Sequence, residues 1–138
     1  MQVTRYGLRV ALDLPYSAAL ERTTEALKSQ GFGVLTTIDV QQTLKAKLDR
    51  EFRRYVILGA CNPPLADRAL HAELEVGLLL PCNVIVYETE AGGSVVATIA
   101  PLLSLSRAGN QTLAPLGEQV DAKLRRVLGS LEAAVEGA

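Results

Sequence analysis

The sequence predicts an α+β fold, in which a mixed, mainly antiparallel sheet is covered by helices in a two-layer sandwich. Three observations lead to this prediction: an alternating segment near the N-terminus, short apolar runs bounded by turn residues, and a long apolar stripe at helical spacing near the C-terminus. The predicted order is strand, helix, strand, short helix, strand, helix, strand, strand, helix. We expect one domain over residues 1 to 138.

The N-terminal segment predicts a strand followed by a helix. Side chains in residues 5 to 13 alternate between the two faces of a predicted strand, and one face carries Tyr6, Leu8, Val10 and Leu12. This is the period of a half-buried strand. Residues 16 to 30 then place apolar side chains at helical spacing, and Gly31 follows where a helix commonly ends in the left-handed conformation.

The next segment predicts two strands separated by a short helix. Residues 32 to 38 are rich in β-branched side chains, which favours a strand. Residues 40 to 48 carry valine or leucine at steps of four, which predicts a short helix. Residues 55 to 60 form a continuous apolar run, typical of a central strand that is covered on both faces.

The second half predicts a helix, a hairpin and a long terminal helix. Asn62 and Pro63 suit a helix start, so a helix is expected from about 63 to 74. Residues 82 to 90 and 94 to 100 flank an Ala-Gly-Gly turn, which predicts a hairpin. A loop over 101 to 112 precedes the apolar stripe, which consists of Leu116, Val120, Leu124, Val127, Leu131 and Val135.

The composition restricts the expected partners and compartment. Fourteen basic and fifteen acidic residues give a net charge of -1, which provides no overall attraction to nucleic acid or anionic lipid. No apolar run approaches the roughly 18 residues that cross a bilayer, and the N-terminus lacks the apolar core of a signal peptide. We therefore expect a soluble, cytoplasmic protein that binds neither nucleic acid nor membrane.

Two stretches of the sequence resemble a known family. They read Tyr-Val-Ile-Leu-Gly-Ala-Cys-Asn-Pro-Pro-Leu-Ala at residues 55 to 66 and Glu-Val-Gly-Leu-Leu-Leu-Pro-Cys-Asn-Val-Ile-Val-Tyr-Glu at residues 75 to 88. Together with matches at 31 to 35, 38 to 40 and 43 to 45, they make the chain similar, over roughly 5 to 135, to the family named domain of unknown function 302. The resemblance implies a small α+β domain that forms homodimers, and it supplies no established catalytic residues.

The candidate ligand-binding residues are Cys61, Asn62 and Cys82. Cys61 lies just before a predicted helix N-terminus, which could lower the pKa of its thiol, although a buried cysteine is the alternative interpretation. Two cysteines are too few for a disulfide scaffold. The thiols converge if the third and fourth strands are antiparallel neighbours and lie far apart if they are parallel. A converged pair could form a disulfide or bind a metal.

His71 is the only histidine, with Asp67 four residues before it and Glu75 four residues after it. These three side chains share one predicted helix face, where Asp67 could orient the imidazole. A metal site of Cys61, His71 and Cys82 is one interpretation, with Glu73 or Glu75 as a further ligand. The other is an exposed polar helix face.

Three functions follow from these features. The first is a homodimeric binding module that holds a small molecule or a metal near the Cys61-Asn62-Pro63-Pro64 corner without turnover. The second is a thiol-based redox protein in which Cys61 is the nucleophile and Cys82 resolves it. The third is structural association through the C-terminal helix. The sequence requires no cofactor, identifies no catalytic residue and favours a protein that is not an enzyme.

Overall fold

The structure, a computed structural model, describes residues 1–100 and 111–136. Within these residues one sheet of six strands has the order β1-β2-β6-β5-β4-β3, and every neighbouring pair is antiparallel. The strands are β1 (Gln2–Val3), β2 (Gly7–Leu12), β3 (Gly33–Asp39), β4 (Tyr55–Cys61), β5 (Cys82–Glu88) and β6 (Ser94–Ile99). The helices are α1 (Tyr16–Ser29), α2 (Val40–Leu48), α3 (Pro63–Ala72), a 3₁₀ helix (Leu74–Leu79) and α4 (Ala114–Glu136).

The main core lies between one face of the sheet, α1 and α4. Alternate residues of each central strand are buried there, as the period of a strand requires, and the terminal helix contributes its apolar stripe. The principal side chains are Leu8, Val10 and Leu12 of β2, Leu27 of α1, Val56 and Leu58 of β4, Val84 and Val86 of β5, and Leu124, Val127 and Leu131 of α4. The predicted α+β class is confirmed, and its strand pairings are all antiparallel among the described residues.

Two glycines lie where the sequence predicts the end of a helix and a hairpin turn. Gly31, which lies two residues beyond the end of α1, has a φ of 83°, and Gly92 has a φ of 90° in the β5–β6 hairpin. Glycine adopts both conformations without the steric cost of a Cβ atom. In the predicted terminal stripe, Val135 lies where side chains are not described, and residues 101–110 of the predicted loop lie outside the described ranges.

Three local features of the fold differ from the prediction. Tyr6 is 79% exposed and does not share the buried face of β2, because residues 4 to 7 form a turn in which the Thr4 amide donates to the Gly7 carbonyl. The short strand β1 was not predicted. The predicted helix over 63 to 74 ends at Ala72, because Glu73 is extended, and a 3₁₀ helix follows.

None of the helices described is long and apolar enough to cross a membrane.

Candidate functional site

The pairing of β4 with β5 brings the two cysteines to the same end of the sheet. Ala60 lies opposite Cys82 in this antiparallel pair, so Cys61 is one residue beyond the residue that faces Cys82. Both thiols are free. Of the two arrangements that the sequence left open, the structure has the one in which the cysteines converge.

An apolar cavity of about 50 Å³ lies beside this corner. Both Cys61 and Cys82 line it, together with Asn62 at the start of α3. The remaining walls are mainly apolar side chains from α3, the 3₁₀ helix and α4, among them Leu65, Ala66, Ala69, Val76, Leu116 and Val120. We call this space the corner cavity.

Asn62 joins the start of α3 to the end of α1. Its Oδ1 accepts a hydrogen bond from the Leu65 amide at 3.4 Å, and its Nδ2 donates to the Gln30 carbonyl at 3.4 Å. A Cβ atom at Gly31 would lie 3.0 Å from Nδ2, so this glycine also makes room for Asn62. The side chain is only 8% exposed. Since both ends of its amide have protein partners, Asn62 serves first as a helix cap.

Burial raises the pKa of both thiols. The pKa of Cys61 is raised by desolvation, and that of Cys82 is raised to about 11 by desolvation and then by the neighbouring Cys61. The sequence suggested the opposite shift for Cys61. The start of α3 gives a thiolate little support, because Pro63 and Pro64 have no N–H group and the Leu65 amide already donates to Asn62.

His71 does not join the cysteines. Its side chain is 80% exposed, with Nδ1 2.8 Å from the Asp67 carbonyl oxygen and 3.3 Å from Asp67 Oδ1. Because α3 turns Leu65 and Ala69 inward, residues 67 and 71 face the opposite side of the helix. No group of three or more histidine, cysteine or acidic side chains within residues 1–100 and 111–136 is arranged to hold a metal ion. The metal site of Cys61, His71 and Cys82, with Glu73 or Glu75, is therefore not formed.

A second, polar space was not predicted. It is a groove of about 440 Å³ between the end of α1, the start of α3 and the first half of α4. Its polar lining residues are Ser29, Gln30, Asn62, Arg68, Gln119 and Lys123. The sequence places these residues in three distant segments, so only the tertiary packing brings them together. We call it the α1–α3–α4 groove.

A group of exposed leucines adjoins the corner cavity. Leu74 and Leu78 of the 3₁₀ helix are 86% and 83% exposed, and Leu70 and Leu79 are partly exposed. Leu79 also lines the corner cavity. Clustered exposed leucines are typical of interaction surfaces, whereas single exposed leucines are common everywhere. We call these four residues the leucine patch.

Comparison with known proteins gives a family and a fold. The family model described as Domain of unknown function DUF302 matches residues 8–131. The crystal structure of an uncharacterized conserved protein DUF302 from Bacillus stearothermophilus is similar, with 29% sequence identity and a TM-score of 0.83. That similarity covers 91% of this chain and 98% of the other. No curated protein matches the chain.

Proposed function

The chain belongs to the DUF302 family, and we propose from its own geometry that it is a homodimeric binding module without turnover. Its ligand places a small apolar group in the corner cavity. The observation that carries this proposal is the cavity itself, a space of about 50 Å³ with predominantly apolar walls. Apolar spaces in proteins accept small apolar molecules. Drug-sized ligands need roughly 300 Å³ or more, so the corner cavity suits one small group.

The chemistry of the walls favours binding over reaction. Burial raises the pKa of both Cys61 and Cys82, which disfavours the thiolate that a thiol nucleophile needs. The histidine that would act as a base lies on the far side of α3. These features count against the redox alternative, in which Cys61 attacks and Cys82 resolves.

Xenon is a suitable probe, because it is apolar and small enough for a space of about 50 Å³. We expect xenon to cause saturable NMR shifts of the amides around Leu65 and Ala69. Ala66→Leu places a larger side chain in the wall of the corner cavity and should abolish these shifts. Ala46→Leu, the same change on the exposed surface of α2, should leave them intact.

The xenon experiment has a clear negative outcome. Binding that is absent in the wild type, or equally strong in Ala66→Leu, would show that the corner cavity is not the site. Amide spectra with native dispersion in both variants would establish that the loss of xenon shifts does not result from unfolding.

The leucine patch supports the homodimer. Leu74 and Leu78 expose most of their apolar surface, and a second copy of the chain would remove that surface from water. Light scattering should give the mass of a dimer for the wild type and of a monomer for Leu74→Lys. Leu48→Lys alters a leucine that is 63% exposed on α2 and should leave the dimer intact. A monomeric wild type, or loss of the dimer in Leu48→Lys alone, would contradict this assignment.

A further inference from the structure

We propose that the α1–α3–α4 groove binds a small organic dianion, such as a dicarboxylate, independently of the corner cavity. The groove measures about 440 Å³, which lies within the range of small-molecule sites. Its lining includes two cationic side chains, Arg68 from α3 and Lys123 from α4, and no carboxylate. The lining thus carries positive charge on two walls that face a common space.

The charge of Arg68 and Lys123 is available to a ligand. Neither side chain forms an ion pair with any residue in the described part of the chain. Two of the acidic residues close to them in sequence have other partners. Asp67 lies against His71, and Asp121 pairs with Arg125 at 2.8 Å.

The backbone carbonyl groups at the end of α1 repel an anion less strongly than those of a free helix C-terminus would. Such an end presents carbonyl oxygens with partial negative charge. Here the Leu27 carbonyl accepts from the amides of Gln30 and Phe32, the Lys28 carbonyl accepts from Gly31, and the Gln30 carbonyl accepts from Asn62. These acceptors are therefore already satisfied.

The amide side chains add hydrogen-bond donors to the groove. Gln30 Oε1 accepts a hydrogen bond from Arg126 Nε at 2.9 Å, which leaves the Gln30 Nε2 group as a donor. Gln119 lies one turn before Lys123 on α4 and contributes a second amide to the lining. Arginine binds one carboxylate through its planar pair of N–H groups, and lysine provides a point charge for the other. The lining thus matches two separated anionic groups.

Titration with succinate, followed by amide NMR, tests this site. We expect saturable shifts at residues 29 to 31 and 119 to 123, with affinity that falls as salt is added. Arg68→Gln and Lys123→Gln should each weaken succinate binding about tenfold, the loss expected for one charge-assisted contact. Lys47→Gln removes an exposed cation on α2 and should not change it.

Succinamide is the matched neutral ligand, and it should not bind. The proposal is overturned if succinate causes no saturable shifts in the millimolar range, or if succinamide binds equally well. It is also overturned if Arg68→Gln and Lys123→Gln, with native amide spectra, bind succinate as tightly as Lys47→Gln. Because the xenon experiment probes the corner cavity, either site can fail without the other.

Discussion

Replacing Asn62 with alanine removes both hydrogen bonds that join the start of α3 to the end of α1. Loss of the helix cap to the Leu65 amide costs about 1 kcal/mol. Loss of the donor to the partly buried Gln30 carbonyl costs about 1 kcal/mol more, because that oxygen is left without its partner. We therefore expect Asn62→Ala to lower the free energy of unfolding by about 2 kcal/mol.

Urea denaturation measures this loss, and two variants separate its parts. Asn62→Ser keeps an oxygen that can accept from the Leu65 amide, but the serine side chain is too short to donate to the Gln30 carbonyl. This variant should therefore lower the free energy of unfolding by about 1 kcal/mol. Asp39→Ala removes another cap, in which Asp39 Oδ1 accepts from the Gln42 amide at 3.0 Å. Because α2 buries no residue, that loss should stay below about 1 kcal/mol. If Asn62→Ala costs no more than Asp39→Ala, the assigned connection between α1 and α3 is wrong.

Two further predictions concern the same end of the sheet. A Cβ atom at Gly59 would meet the Thr36 hydroxyl and the Pro81 ring, so Gly59→Ala should cost about 1–3 kcal/mol in urea denaturation. Adding Thr36→Ala should restore part of this loss, and no recovery would contradict the steric explanation. The pKa of Cys82 is raised from 9.0 to about 11, so this thiol loses its proton at a lower pH in the unfolded state than in the folded state. The free energy of unfolding should therefore fall by about 3 kcal/mol as the pH rises from 9.0 to about 11. Cys82→Ala should flatten this dependence, whereas a wild-type stability that is constant from pH 9 to 11 would refute it.

The fold could be predicted from local chemistry where one short segment determines the outcome. The cap at Asn62, the left-handed Gly31 and the glycine turn of the β5–β6 hairpin each depend on a few adjacent residues. The buried stripe of α4 follows from helical periodicity alone. These elements appear in the structure close to their predicted positions.

The site could be predicted only in part, because its properties depend on packing between distant segments. Whether Cys61 meets Cys82 depends on strand pairing, which the sequence left open. The pKa of Cys61 is raised because burial desolvates its thiol, and the extent of that burial depends on tertiary packing. The exposed position of His71 did have a local signal, since Leu65 and Ala69 already define the inner face of α3.

Asn62 belongs to the lining of both the corner cavity and the α1–α3–α4 groove. One amide side chain thus separates an apolar compartment from a polar one. A substitution that shortens this side chain, such as Asn62→Ala, therefore alters the lining of both compartments at once.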